Sequence, residues 1–334
     1  MPKKRRKVKK KKFSWKLLLS FIIFEIIFTG VTAPLIVFHG PFENVKRTVV
    51  GAAMTTLKHQ YIAKMFLSDA EINKILSSNS VEAAVQDSSS TEINLNSSHD
   101  DSIERYDVKS TKYKGYVLII HDATRVKVGY SAKLGTEGQM TSQIAKENGA
   151  IAAVNGGGFT DKADGSGNWT GTGGTPVGII MSNGTIKHND VKDDDKKVDV
   201  LALTNKGLLL VGPHSMNEMK DKGVTEIISF GPALVVNGHG TIKSGDGGWG
   251  IAPRTAVGQK KDGSIILLVI DGRQASSLGA SLKDVQDIMI QYGAVNATNL
   301  DGGSSSTMYY DGELINNPCD PLGERSVPSI IYVK

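Results

Sequence analysis

The stretch IILLVIDGR, Ile265 to Arg273, sets six consecutive apolar residues ahead of an acid, a glycine and a base. Six residues suit a strand and fall short of a core helix, and the isoleucine and valine content points the same way. It reads as a strand of a buried core that ends in a charged turn, Asp271-Gly272-Arg273. Short apolar runs of the same kind recur along the chain. They cover Tyr116–Ile120, Arg125–Tyr130, Ile151–Val154, Gly178–Met181, Asp199–Thr204, Leu208–Val211, Glu226–Phe230, Ala233–Val236, Thr255–Gln259 and Val327–Val333. Ser182-Asn183-Gly184 supplies a hairpin turn, and KHNDVKDDDKK (Lys187–Lys197) reads as a solvated charged loop.

Helical spacing is rarer. Met140 to Asn148 fits a helix, with Gly149 placed to end it. Ser281-Leu-Lys-Asp284 opens another with a capping-box start; Leu282, Val285, Ile288, Met289 and Tyr292 form its apolar face, and Gly293 stops it. Many strands and few helices, without regular alternation, predict an α+β class: a mixed β-sheet core with a few packed helices.

The polar residues that break these runs gather at strand ends. Ile151–Val154 leads into Asn155-Gly156-Gly157-Gly158, and a later apolar strand leads into Asn299-Leu300-Asp301-Gly302-Gly303-Ser304-Ser305-Ser306-Thr307. Glycines there let backbone N–H groups approach a ligand or take positive φ. Neither cluster has the spacing of a GK[ST] phosphate loop or of a GxGxxG that opens a helix, so nucleotide binding is disfavoured. Arg254 precedes one strand and Glu324-Arg325 precedes the last. If these ends converge, they provide cations for an anion and carboxylates for acid–base work. The histidines lack zinc spacing, the serine run lacks a GxSxG elbow, and the lone Cys319 excludes an internal disulfide framework. No ligand spacing demands a metal, and the chain carries no certain cofactor signal; a divalent cation bridging Asp301 and a phosphate is left open. Asn168, Asn183 and Asn296 begin sequons that matter only in a eukaryotic secretory pathway.

At 334 residues the chain has room for appendages to this body. Its net charge of +5 includes nine cationic residues between Lys3 and Lys12, so the remainder is mildly acidic and gives no reason to expect nucleic acid as a partner. The basic block (1–12) stands directly before FSWKLLLSFIIFEIIFTGVTAPLIVF (13–38), long enough to cross a bilayer, and this order keeps the N-terminus in the cytoplasm. A nuclear signal does not suit that context. A cleaved signal peptide is the second reading, with Val31-Thr32-Ala33 as its cleavage site. Glu25 interrupts the span and is tolerated as a neutral carboxyl in a very apolar helix, or else meets a partner helix. Residues 39–76 read as a juxtamembrane helical stalk with a fresh start at Ser68-Asp69, residues 77–110 as a polar mobile linker, and 111–334 as the catalytic or binding body.

One ordered set of motifs resembles a known family. NGGGF (155–159), TPVGIIMSNG (175–184), ISFGPALVVNG (228–238), APRTAVGQKKDG (252–263), LLVIDGR (267–273), NLDGGSSSTM (299–308) and GERSVPSIIYV (323–333) are similar to the phosphodiester glycosidase family. Its bacterial members include anchored proteins related to exopolysaccharide. The resemblance covers roughly Thr111 to Lys334 and implies hydrolysis of a sugar-1-phosphodiester at the C1–oxygen bond, with a glycan or sugar phosphate as substrate. It implies Arg254 and Arg325 as the anion clamp, and Asp301 and Glu324 as base or nucleophile. Asp271 is either a third catalytic carboxylate or a support for an arginine. Asn155, Gly156, Gly302, Gly303, Ser304, Ser305, Ser306 and Thr307 are implied to orient sugar or phosphate. The family's usual DGGGSS reads DGGSSS here, with Ser304 in place of the third glycine. A transferase acting on the same glycans and a non-catalytic glycan-binding surface protein remain the alternatives.

The anchor orientation has a direct check. Protease added to intact cells should digest the C-terminal body, and protection of that body would reverse the orientation.

Overall fold

The computed structural model describes residues 14–56, 59–78, 81–86, 93–95, 100–160 and 172–334. The basic block, parts of the linker and the Asn168 sequon lie outside the described residues.

Three antiparallel sheets build the body. The largest runs in the order Ile103–Lys109, Lys114–Ile120, Ile265–Ile270, Arg254–Lys260, Ala294–Leu300, Ala233–Val236 and His239–Gly240. The second orders Leu209–His214, Val198–Thr204, Val224–Ser229, Ile179–Ser182 and Thr185–Asn189; the third orders Glu313–Leu314, Met308–Tyr310, Ala152–Asn155, Ser329–Val333 and Val126–Tyr130. This is the α+β architecture that the scarcity of helices predicts.

Side-chain alternation explains how the layers stack. Leu118 and Ile120, Leu267 and Val269, Val128, Val154, Ile180, Leu201 and Ile331 point into one central core shared by all three sheets. Their neighbours point outward, and a helix covers each outer face. In the stalk and body together the helices are α1 (Trp15–His39), α2 (Glu43–Met54), α3 (Tyr61–Lys64), α4 (Asp69–Ser77), α5 (Thr141–Glu147), α6 (Met216–Asp221) and α7 (Leu282–Gln291). Leu282, Val285, Ile288 and Met289 of α7 pack on Val117, Ile266, Leu268 and Ile270 of the largest sheet. Met216 and Met219 of α6 cover the second sheet, and Ile144 and Ala145 of α5 cover the third. Ile265–Ile270 reads as unbroken apolar sequence because both of its faces are buried, at about 1.5–3 kcal/mol per large side chain.

Several boundaries differ from the sequence expectations. The body begins at Ile103 rather than Thr111, since Ile103–Lys109 pairs residue for residue with Lys114–Ile120. Its polar composition hid it: as an edge strand it leaves most of its side chains partly or fully exposed. The charged loop starts three residues late, because Lys187–Asn189 complete the strand Thr185–Asn189. The stalk is three helices, and Ser68 caps α4 in a box with Glu71.

Described parts of the expected mobile linker are tied to the body. Glu82 N–H donates to Thr241 O (3.1 Å) and Asn94 N–H to Lys261 O (2.9 Å). Gln86 accepts from Val211 N–H (2.8 Å) and donates to Leu209 O (3.0 Å), so its amide completes the open edge of Leu209–His214. The stalk is also seated. A Cβ on Gly51 of α2 would lie 2.6 Å from Gly248 O, so only glycine permits this backbone-to-backbone approach.

Removing the edge cover tests the linker's attachment. Gln86→Ala should cost about 1–2 kcal/mol by leaving two edge groups unpaired, and should raise hydrogen exchange at Val211.

Candidate active site

Antiparallel register brings the charged strand ends to one place. Arg254 stands opposite Ile270, and Thr255 opposite Leu300, so Asp271 and Asp301 emerge beside the start of the Arg254 strand. In the third sheet, Ile330 stands opposite Asn155 and Met308 opposite Val154.

Asn155 is fully buried and joins the two sheets. Its Oδ1 accepts from Thr255 Oγ1 (2.7 Å) and Thr307 N–H (3.2 Å), while its Nδ2 donates to Asp301 O (2.6 Å). Asp301 N–H donates to Gly156 O at 3.2 Å, so the two glycine-rich ends are bonded to each other. The Asn155 amide is thus committed to protein groups and holds the Asp301 backbone in place.

From Asp301 to Ser304 the chain is partly exposed, and from Ser305 to Thr307 it is buried. Asp301 Oδ1 accepts from Gly302 N–H at 3.0 Å. Gly303 has φ +62°, a backbone region that strains other residues, and a Cβ there would lie 3.2 Å from Arg273 Nη2. The Arg273 guanidinium therefore lies along the Gly303 backbone, and Arg273 itself is exposed with φ +56°. A non-glycine residue at positive φ is uncommon and costs on the order of 1–3 kcal/mol. Ser304 Oγ accepts from Arg325 Nη1 at 3.2 Å, and the Arg325 guanidinium stacks on Phe159 at 4.6 Å from the ring centroid. Ser304 is absent from the positive-φ residues, so its position has no need of glycine and its hydroxyl braces Arg325.

Of the other residues singled out in the sequence, most face inward, and partly exposed Glu324 is engaged by Ser142. Arg254 is buried; Nε donates to Ala280 O (3.1 Å) and Nη2 to Trp249 O (3.0 Å) and Gly250 O (2.7 Å). Burial, with the Arg273 charge adding to it, pushes its pKa down to about 10, which still leaves it charged at neutral pH. It braces the Gly247–Gly250 loop and places positive potential behind Asp301. Asp271 is buried, its Oδ1 accepting from Asn316 Nδ2 (3.1 Å) and Asn317 N–H (3.0 Å); burial pushes its carboxyl above the usual range. It supports the 316–317 turn, and no arginine is among its hydrogen-bond donors there. Both oxygens of Glu324 accept from Ser142, one from N–H (2.9 Å) and one from the hydroxyl. Glu324 thus anchors the segment that carries Arg325 to the start of α5. The hydroxyls of Ser305, Ser306 and Thr307 are interior, with Ser306 Oγ 3.3 Å from Thr255 Oγ1. Ser304 is the one member of the hydroxyl run at the partly exposed surface.

Sequence reasoning passed over Arg273, Phe159, Phe230 and Trp249. Arg273 stood in view in the DGR turn, but a charged turn residue gives no direction by itself. Phe230 and Trp249 meet edge to face, centroids 6.2 Å apart, and Trp249 lies 5.9 Å from the Arg254 guanidinium. Among the described residues no three His, Cys, Asp or Glu side chains gather to hold a metal.

The arrangement offers a partly exposed carboxylate, Asp301, at the start of the loop whose Gly303 and Ser304 meet the guanidinium groups of Arg273 and Arg325; Glu324 is similarly exposed, but Ser142 engages both of its oxygens. Such a site can hold an anion and place a carboxylate within reach of a neighbouring atom.

The Asn155 junction has a measurable weight. Asn155→Ala strands buried groups on three segments at once and should cost about 2–4 kcal/mol, read by chemical denaturation.

Comparison with known proteins shows the family and the fold. The sequence model of the phosphodiester glycosidase family matches residues 148–334. The SPbeta prophage-derived uncharacterized protein YomE of Bacillus subtilis is 40% identical over 81 residues, which cover 24% of this chain and 12% of that protein. The N-acetylglucosamine-1-phosphodiester alpha-N-acetylglucosaminidase of Bos taurus is 40% identical over 70 residues, 21% of this chain and 13% of the relative. The matched stretches are therefore a small part of these relatives. In fold, the chain resembles the catalytic domain of the zebrafish N-acetylglucosamine-1-phosphodiester alpha-N-acetylglucosaminidase auto-inhibited by pro-peptide. That match has a TM-score of 0.57 at 23% identity over 73% of this chain and 86% of that one. A hypothetical protein from Synechocystis matches with a TM-score of 0.50 at 17% identity over 70% and 62%. The family match runs from the end of α5 to the last residue and contains every strand end of the site: the chain belongs to the phosphodiester glycosidase family.

Proposed function

We propose that this protein hydrolyses a sugar-1-phosphodiester at the bond between the sugar C1 and its bridging oxygen, in a cell-envelope or exopolysaccharide glycan. The observation that carries the reading is the approach of Arg273 to Gly303 and of Arg325 to Ser304 on the glycine-turned loop that begins at Asp301, in a chain of this family. The curated relatives named for N-acetylglucosamine-1-phosphodiesters support that sugar as the first to try. The apolar helix α1, 25 residues and roughly 38 Å long, supports anchoring of the body at a membrane.

In this reading a phosphodiester enters with its anionic oxygens toward Arg273 and Arg325. Asp301 takes a proton from water as the water oxygen bonds to C1. The C1–O bond breaks, and its electron pair stays on the departing phosphate monoester. That leaving group is already stable as an anion, so a second carboxylic acid to protonate it is unnecessary, unlike the usual glycosidase pair. The two guanidinium groups meet the charge as it develops, and buried Arg254 adds to the field without touching the substrate. Gly303 matters because a side chain there would push against Arg273. Glu324 and Asn155 act as positioning residues in this account, and Asp271 as a support of the 316–317 turn.

The test is release of free sugar from a methyl N-acetylglucosaminyl-1-phosphodiester by the full chain in detergent, with and without divalent cations. Asp301→Asn should lower kcat by about 10²–10⁴ while leaving the fold intact. Arg273→Ala and Arg325→Ala should each lower kcat/KM by roughly 10- to 100-fold. No sugar release by the unaltered protein from any sugar-1-phosphodiester would end the hydrolase reading.

A further inference from the structure

A cavity of about 480 Å³ lies between the N-terminal helices and the body. Met54, Leu76 and Val81 line it from the N-terminal side, and Phe230, Pro232 and Trp249 from the body. Thr55 and the solvent-exposed Asp199 are the polar side chains of its lining. Protein interiors are close-packed, so an apolar space of ligand size is a feature to explain rather than ordinary packing slack.

Its two walls lead in opposite directions. Met54 and Leu76 pack in the small cluster that contains Phe38, next to the last residue of α1, and Phe38 stacks on Phe66 at 4.8 Å. The cavity therefore adjoins the cluster at the end of the apolar helix, and α2, whose 12 residues span roughly 18 Å, runs from near that end to Met54 in the cavity wall. On the body side, Asn299 N–H donates to Pro232 O (3.1 Å) and Asn299 Nδ2 to Gly231 O (3.1 Å), two residues before Asp301. Trp249 faces Arg254, whose strand begins beside the Asp301 loop. The cavity thus lies between the N-terminal helices and segments hydrogen-bonded or stacked to the strand ends that carry Asp301 and Arg254.

From this placement, and resting on the hydrolase reading above, we infer that the cavity receives the lipid alcohol of a lipid-linked sugar phosphodiester. The substrate class is a sugar-1-phosphoryl group esterified to a single prenyl-type chain. Sugar and phosphate sit at Asp301, Arg273 and Arg325, and the first part of the chain runs between Trp249, Phe230 and the stalk. A sugar or glycerol on the phosphate side would meet almost no polar side chains there, and a cavity of this volume suits one chain rather than two. Hydrolysis yields the free sugar and the prenyl monophosphate: water oxygen joins C1, and the C1–O electron pair leaves with the phosphate.

Three N-acetylglucosaminyl-1-phosphodiesters test this with the full chain in detergent micelles: methyl, farnesyl and diacylglyceryl esters, scored by released sugar. The expected result is a farnesyl-to-methyl ratio of kcat/KM of about tenfold or more, from burial of the apolar chain. The diacylglyceryl ester should fall well below the farnesyl one. Val81→Trp and Leu76→Trp, which fill the cavity, should bring the farnesyl-to-methyl ratio close to one; a ratio cancels any loss of folded enzyme. Equal rates on methyl and farnesyl esters would overturn the inference and leave the hydrolase intact. A ratio untouched by both tryptophans, or a preference for the two-chain lipid, would likewise overturn it. No release from any ester would remove the hydrolase reading, and this inference with it.

Discussion

The side-chain amide of Asn155 is the junction on which the site depends. Three hydrogen bonds from one buried group reach Thr255 in the largest sheet, Thr307 at the entry to the third, and the backbone of Asp301 between them. An amide has both donors and acceptors on a short, stiff stem, so it can serve segments of opposite need at once. Buried groups of this kind hold geometry because each lost bond leaves a partner stranded in a poor dielectric. The backbone of Asp301 is consequently held by a buried group, while the residue itself is partly exposed.

Around that junction the arginines divide into two kinds. Arg254 spends its guanidinium on three backbone carbonyls and keeps a loop in place. Arg273 and Arg325 stay near the surface, one beside the Gly303 backbone and the other stacked on Phe159 and bonded to Ser304. Serine at position 304 is consistent with this division, since its hydroxyl accepts from Arg325 and its φ is not positive. The carboxylates divide in the same manner: Asp301 at the partly exposed loop, Asp271 and Glu324 engaged in tying turns together.

Much of the fold was legible in the chain. Unbroken apolar runs such as Ile265–Ile270 and the capping signals at Ser68 and Ser281 are local features, and the structure has a strand or helix start at each. The strand Ile103–Lys109 was not legible, because an edge strand with mostly solvent-facing side chains carries little apolar pattern. The attachment of the linker through Gln86 was hidden for a related reason: one glutamine in a polar stretch carries no sign of the open edge it will meet. The candidate site divides likewise. Asp301, Ser304 and Arg325 stood out as polar residues at apolar strand ends. Phe159, Phe230 and Trp249 did not, since an isolated aromatic in sequence says nothing of which cation or ring it will face.

By itself the sequence determined most of the secondary structure of the body, its α+β class, the apolar N-terminal helix and the glycine-rich strand ends. Those follow from periodicity, turn chemistry and composition, which act over a few residues. Only the tertiary structure decided which polar groups face the surface and which brace the interior. That choice depends on antiparallel register: setting Thr255 opposite Leu300 and Ile330 opposite Asn155 directs Arg254, Asp271 and Asn155 into the protein while Asp301, Arg273 and Arg325 stay at its surface. Register is a relation between segments distant in sequence, so it becomes definite only when the sheets close on their common core.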